Sequence, residues 1–199
     1  MFQKITGGGL ALGLLGMVAP AADLPAWWRS FPSVPRLESG FVQESESAVF
    51  GKLSRQGRLK LAKGGRLRVE YAKGILLVAD GATLVQYDPE TRTAQRIRLR
   101  SAAADTPLLY ILLNPGALSG YFQAIPGDGE SLTLAPRRPD LPRVELTGSG
   151  GLLRRIQWVD GTGAKQMIEL QQPTVPANPF PASDFTFQAP AGTRWLNVR

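Results

Sequence analysis

The feature that most restricts the fold of this chain is alternation. From residue 57 onward, short segments place apolar residues at every second position, the period of a half-buried β-strand. "GRLKLAK" (57–63) sets Leu59 and Leu61 on one face and Arg58 and Lys60 on the other. "RLRVEY" (66–71) does the same with Leu67, Val69 and Tyr71. "ILLVA" (75–79) and "TLVQY" (83–87) flank Asp80-Gly81, a two-residue hairpin signal. "DPET" (88–91) has the form of a type I turn, and "RIRLR" (96–100) follows it. Farther on, "YFQAI", "SLTLA", "RVELT", "LRRIQWV" and "KQMIEL" are separated by "PGDG", "RRPDLP", "GSGG" and "DGTG", all turn chemistry. A Pro-rich loop (171–183) leads to "DFTFQ" as a last strand. Roughly ten short strands with mostly tight connections predict a mainly β fold with short helices: one large antiparallel sheet, barrel-like or sandwich-like.

One segment departs from this pattern. In "TPLLYILLNPGAL" (106–118), Thr106 is a helix N-cap candidate with Pro107 at the first helical position, and six apolar residues in a row follow. A second short helix, "GALSGYF", follows it, and another is expected over 26–31 in a stretch broken by Pro25, Pro32 and Pro35. A helix that is apolar all round cannot lie on a sheet with one side in water. Either the sheet curls around it or a ligand covers its remaining side.

The first residues read as an export signal: Lys4 in a short basic start, an apolar run from Leu10 to Val18, and an Ala19-x-Ala21 cleavage site. The run is too short to span a bilayer, which takes about 20 residues. Residues 1–21 are therefore expected to be removed, leaving 22–199 as a single domain in an extracytoplasmic, periplasmic space. The alternative is a retained N-terminal anchor.

Catalytic chemistry finds little support. With neither His nor Cys in the chain, the commonest general base, the commonest metal ligand and the thiol nucleophile are all missing. No G-x-S-x-G motif occurs, and Asp80, Asp88, Asp128 and Asp160 fall in turns, where backbone hydrogen bonding alone favours Asp. The chain is read as a binder with no catalytic residue, no metal and no cofactor. Its net charge of +7 is spread along alternating strands, which reads as solvated sheet surface; with export, this argues against nucleic acid.

Several pieces, in order, resemble the LolA family of periplasmic carriers that take lipoproteins to the outer membrane. They are "GFVQ" (40–43), "GRLKLAK", "VADGATLVQYDPE" (78–90), "TPLLYILLN" (106–114), "YFQAIP" with "LTLAPR", "IQWVDGTGAKQMIEL" and "FTFQAPAG" (185–192). The resemblance implies an unclosed barrel of about eleven antiparallel strands, with short helices as a lid over an apolar cavity that holds acyl chains. It also implies a monomer whose partners are acylated lipoproteins, an inner-membrane ABC exporter and an outer-membrane receptor. Other lipid-like cargo, such as a glycolipid or pigment precursor, or a lipid-sensing regulatory role, are the alternatives.

On this reading Pro107, Leu108, Leu109, Ile111, Leu112 and Leu113 form the lid. Leu59, Leu61, Leu67, Val69, Tyr71, Val85, Tyr87, Ile156 and Trp158 line the cavity. In "LVQY" and "LRRIQWV" a shift of one residue would exchange the two faces. The family's lid-latching Arg falls on Lys63, and the Pro after it on Gly64. Lys63 shares the parity of Leu59 and Leu61, so its ammonium either latches a helix end or snorkels to water from the turn. Lys lacks the planar fork of Arg, and "AKGILLV" and "TRWLNVR" also depart from the family pattern.

Overall fold

The computed structural model describes residues 23–99, 111–113 and 115–196. The expected signal segment, the N-cap candidate Thr106 and the lid positions Pro107, Leu108 and Leu109 lie outside these residues.

Twelve strands form one sheet. They are β1 (Arg36–Ser47), β2 (Gly51–Ala62), β3 (Arg66–Tyr71), β4 (Leu76–Asp80), β5 (Thr83–Asp88), β6 (Thr93–Arg98), β7 (Phe122–Pro126), β8 (Ser131–Pro136), β9 (Val144–Ser149), β10 (Leu152–Val159), β11 (Lys165–Thr174) and β12 (Arg194–Leu196). Their spatial order is β12-β6-β5-β4-β3-β2-β1-β11-β10-β9-β8-β7, so the sheet has two ends and is not a closed barrel. Pairing is antiparallel except for β12, which runs parallel to β6. The expected single antiparallel sheet is thus present with one parallel addition.

The alternation that marks the sequence also sets the inner face. Leu37, Leu61, Leu67, Ala79, Leu84 and Ile97 stand opposite one another across β1 to β6, and Ile168, Ile156, Leu146 and Leu132 do so across β11 to β8. Both rows belong to one apolar cluster, so the sheet wraps around a shared interior. That interior is filled from the N-terminus by helix α1 (Ala26–Ser30) and a 3-10 turn (Phe31–Ser33), which bring Trp27 and Phe31. Leu118 enters it from a second 3-10 turn (Pro115–Gly120).

Two irregularities re-aim side chains. Between Glu38 and Gly40 the β1–β11 register shifts, and Gln172 takes a left-handed φ of 50° ahead of Pro173, which has no N–H to offer the ladder. Buried Ser39 compensates there, its Oγ lying 2.6 Å from the Gly40 carbonyl and 3.0 Å from that of Gln171. In β10 the register slips between Leu153 and Arg155, so Leu153 and Ile156 both reach the interior despite their odd spacing.

Three sequence expectations change. "DFTFQ" is not a strand: Asp184 and Phe185 close a 3-10 turn (Ala182–Phe185), and the last strand comes later. The two-residue loop of the β4–β5 hairpin is Gly81-Ala82, one residue beyond Asp80-Gly81, with Gly81 at φ 101° and the Asp80 carboxylate accepting from the N–H groups of Ala82 and Thr83. The sheet also begins well before residue 57. The far ends of β1 and β2 touch little of the core, so they carry polar residues on both faces and lack the period-2 signal.

The outer face of β3 to β6 is not bare. The C-terminal segment crosses it, burying Val78, Val85, Ala94 and Phe185 in a layer separate from the main core. Lys60 Nζ pairs with Asp184 at 2.9 Å, Arg66 stacks over Phe185, and Arg96 stacks over Trp195.

Candidate functional site

The inner face is the part of the molecule whose chemistry is most uniform. Leu59, Leu61, Leu67 and Val69 project from β2 and β3 and are buried, as is Ile156 on β10. Trp158 is half-buried and packs on the same cluster. Tyr71 stands at the rim of the row. Its ring meets Phe41 edge-on at 5.3 Å, and its hydroxyl donates to Gln43 Oε1 at 2.8 Å. Burial raises the Tyr71 pKa, with the charge of Arg55 opposing it. Gly57 is required beneath this pair, since a Cβ there would lie 2.8 Å from the Phe41 ring.

Two expected wall residues face the other way. Leu84 is the inward residue of β5, opposite Ala79 and Ile97. Val85 and Tyr87 therefore point outward, Val85 opposite Val78 and Tyr87 5.4 Å from the Phe187 ring. The cause is the C-terminal crossover. By covering the outer face, it makes both sides of β5 apolar and removes the contrast on which parity rests.

Of the expected lid, Ile111, Leu112 and Leu113 fall among the described residues. They form a helical turn with exposures of 0, 3 and 9% and pack into the main cluster. They lie outside the strands of the sheet and pack by their side chains into its buried cluster. Lys63 lies exposed in the β2–β3 turn, where Gly64 and Gly65 take φ of 83° and 74°. Its ammonium has no partner among the described residues, while its backbone carbonyl accepts from Arg66 Nε at 3.2 Å. The turn is close to the point where the chain leaves β6: a Cβ on Gly65 would stand 3.1 Å from Leu99 Cδ2.

Sequence reasoning missed the largest contributors to this interior. Trp27 is 1% exposed, and its Nε1 donates to the Glu130 carbonyl at 2.8 Å. Phe31, Phe122 and Leu118 are similarly buried. The available signal was Gly148 inside β9, a strand glycine marking the close approach of another group.

Chemically, the arrangement offers apolar area and little else. Ser39 is the one buried polar side chain among the described residues, and backbone carbonyls occupy its hydroxyl. The interior excludes water and offers hydrocarbon contacts on every side.

The sequence profile of the family described as "Outer membrane lipoprotein carrier protein LolA" matches residues 33–188. Among solved structures, an uncharacterized conserved protein from Thermus thermophilus superposes with a TM-score of 0.50 at 11% identity, over 85% of this chain and 94% of that one. A LolA superfamily protein from Nitrosomonas europaea gives 0.48 at 8% identity, over 83% of this chain and 99% of that one. MucB gives 0.49 at 15% identity, over 82% of this chain and 62% of that one. No curated protein matches the sequence.

Proposed function

Because the chain belongs to the LolA family of outer membrane lipoprotein carrier proteins, we propose that it is a periplasmic carrier. It shelters the acyl chains of lipoproteins against the inner face of its sheet and ferries them from an inner-membrane ABC exporter to an outer-membrane receptor. The observation that carries this reading is the burial of Ile111, Leu112 and Leu113. A short turn outside the strand ladders occupies the apolar face that an acyl chain would need.

The energetics suit a carrier. Each buried methylene is worth about 0.8 kcal/mol, so ten give about 8 kcal/mol before ordering costs. Cargo must displace the Ile111–Leu113 turn, so the net affinity is reduced by the cost of moving it. Intermediate affinity lets the protein hold lipid in water and still release it. In this mechanism Pro107, Leu108 and Leu109 extend the lid, and Leu59, Leu61, Leu67, Val69, Tyr71, Ile156 and Trp158 are the surface it uncovers. Lys63, beside the root of the lid, holds the closed form through a lid carbonyl.

The test is to isolate the protein from periplasm and identify the hydrophobic material that accompanies it by mass spectrometry. Acylated lipoprotein supports the proposal. A glycolipid or pigment precursor replaces the cargo but keeps the carrier. Absence of any lipid, together with failure to take up a fluorescent fatty acid, overturns it. Replacing Lys63 with Leu is expected to change cargo release; unchanged loading and hand-off would remove the latch from the mechanism.

A further inference from the structure

The β1–β2 hairpin ends in an unusual tip. Val49 and Phe50 are 81% and 79% exposed, the highest values among the large apolar side chains of the described residues, and Leu53 follows at 54%. The three lie within five residues of chain. An exposed apolar cluster at a protrusion is unfavourable in water and points to a surface that meets something apolar.

The tip is both extended and held in shape. Pairing of β1 with β11 stops at Glu46 opposite Lys165, and pairing of β2 with β3 stops at Gly57 opposite Tyr71. Residues 51–56 thus have β1 on one side and no strand on the other, and the turn stands beyond the end of β3, level with the β10–β11 turn (160–164) on its other side. The Ser47 hydroxyl accepts from the Phe50 N–H at 3.0 Å, and Gly51 takes a left-handed φ of 65°, so the turn presents its side chains without further ordering.

Charge selects the occupant. Lys52 flanks the tip on the outer face in an ion pair with Glu44 at 3.0 Å, Glu46 stands opposite Lys52 and Lys165, and Arg55 lies on the inner-face side opposite Gln43, with no carboxylate partner among the described residues. The whole chain carries +7. Apolar side chains at a tip, the unpaired Arg55 behind them and a net positive body match a bilayer containing anionic lipid.

We propose that the β1–β2 tip docks on an anionic membrane surface, Val49 and Phe50 entering the acyl boundary while Arg55 meets the headgroups. Leu53, Tyr71 and Phe41 then lie in sequence from the tip toward the interior, so docking brings this end of the inner face nearest the membrane. The proposal stands whatever the cargo is, because it concerns contact with the bilayer itself.

The chain has no Cys, so single cysteines report position. Phe50→Cys and, at the opposite end of the sheet, Ala82→Cys are labelled with a polarity-sensitive dye and mixed with phosphatidylcholine vesicles, with and without phosphatidylglycerol. A blue shift at position 50 alone, larger with phosphatidylglycerol, is the expected result. In flotation, the Val49→Ser/Phe50→Ser double variant should lose about tenfold or more of its vesicle binding relative to the native chain in the same form. Both sites are exposed, so its thermal unfolding should be unchanged, and residues 1–22 contribute equally to both proteins. Equal flotation, equal shifts at 50 and 82, or a dimer that the double variant dissolves without vesicle binding would each overturn the proposal.

Discussion

The indole of Trp27 lies over the backbone of Gly148, so close that a Cβ at 148 would overlap the ring atoms. α1 therefore docks on β9 through a position where no side chain can exist, and its Nε1–H reaches the Glu130 carbonyl to satisfy the buried ring. This contact secures the N-terminal filling of the sheet.

Gly148→Ala should accordingly destabilise the protein by about 1–3 kcal/mol through overpacking. Combining it with Trp27→Ala should cost less than the sum, since removing the indole makes room for the methyl. Urea unfolding followed by far-UV circular dichroism measures both. A Gly148→Ala variant as stable as the native chain would refute the account of the packing.

Leu112→Ala should have opposite effects on stability and on uptake. Loss of a buried leucine costs about 2–5 kcal/mol of unfolding free energy. The same loss weakens the segment that competes for the inner face, so affinity for a fluorescent fatty acid should rise. Thermal melts and a probe titration give the two values. Weaker probe binding would mean that this turn forms the site rather than blocks it.

The C-terminal crossover should owe its hold to Phe185 rather than to the ion pair beside it. Phe185 is 2% exposed, and its replacement by Ala should cost about 3–5 kcal/mol. Lys60 and Asp184 are partly solvated, at 33% and 22% side-chain exposure, so a double-mutant cycle should give a coupling of at most about 1 kcal/mol. A larger coupling would reverse the ranking.

Acid should loosen two hairpins. The Asp80 carboxyl is held below its ordinary range first by the N–H of Thr83 and then by that of Ala82; Asp160 is lowered chiefly by the Thr162 hydroxyl. The folded state therefore binds fewer protons. Its advantage is complete above the unfolded value, about 3.9, and is lost as pH falls through the lower folded values. Both groups are solvent-facing, so the slope should be shallow. Asp80→Asn should flatten the stability–pH curve below about pH 4; an unchanged curve would remove Asp80 as a contributor.

Legibility in the sequence followed burial contrast. Where one face met the core and the other met water, as in β2 and β3, the alternation placed Leu59, Leu61, Leu67 and Val69 correctly on the inner face. It failed in β5, where the C-terminal segment covers the outer face and Val85 is as buried as Leu84. It was silent in the outer halves of β1 and β2, which stand away from the core. The filling by Trp27 was out of reach of periodicity, because α1 spans five residues, too few for a helical repeat to emerge.

A sheet with two free ends must refuse unwanted strands, and the parallel placement of β12 serves that need. By bonding Arg194 to Leu196 along Thr93 to Gln95, the chain's own tail occupies one terminal ladder that another molecule could otherwise extend. At the other end, β7 is five residues long and finishes in Pro126, which has no N–H to donate. Guarded in this way, both margins of the unclosed wall offer little backbone on which a fibril could be templated.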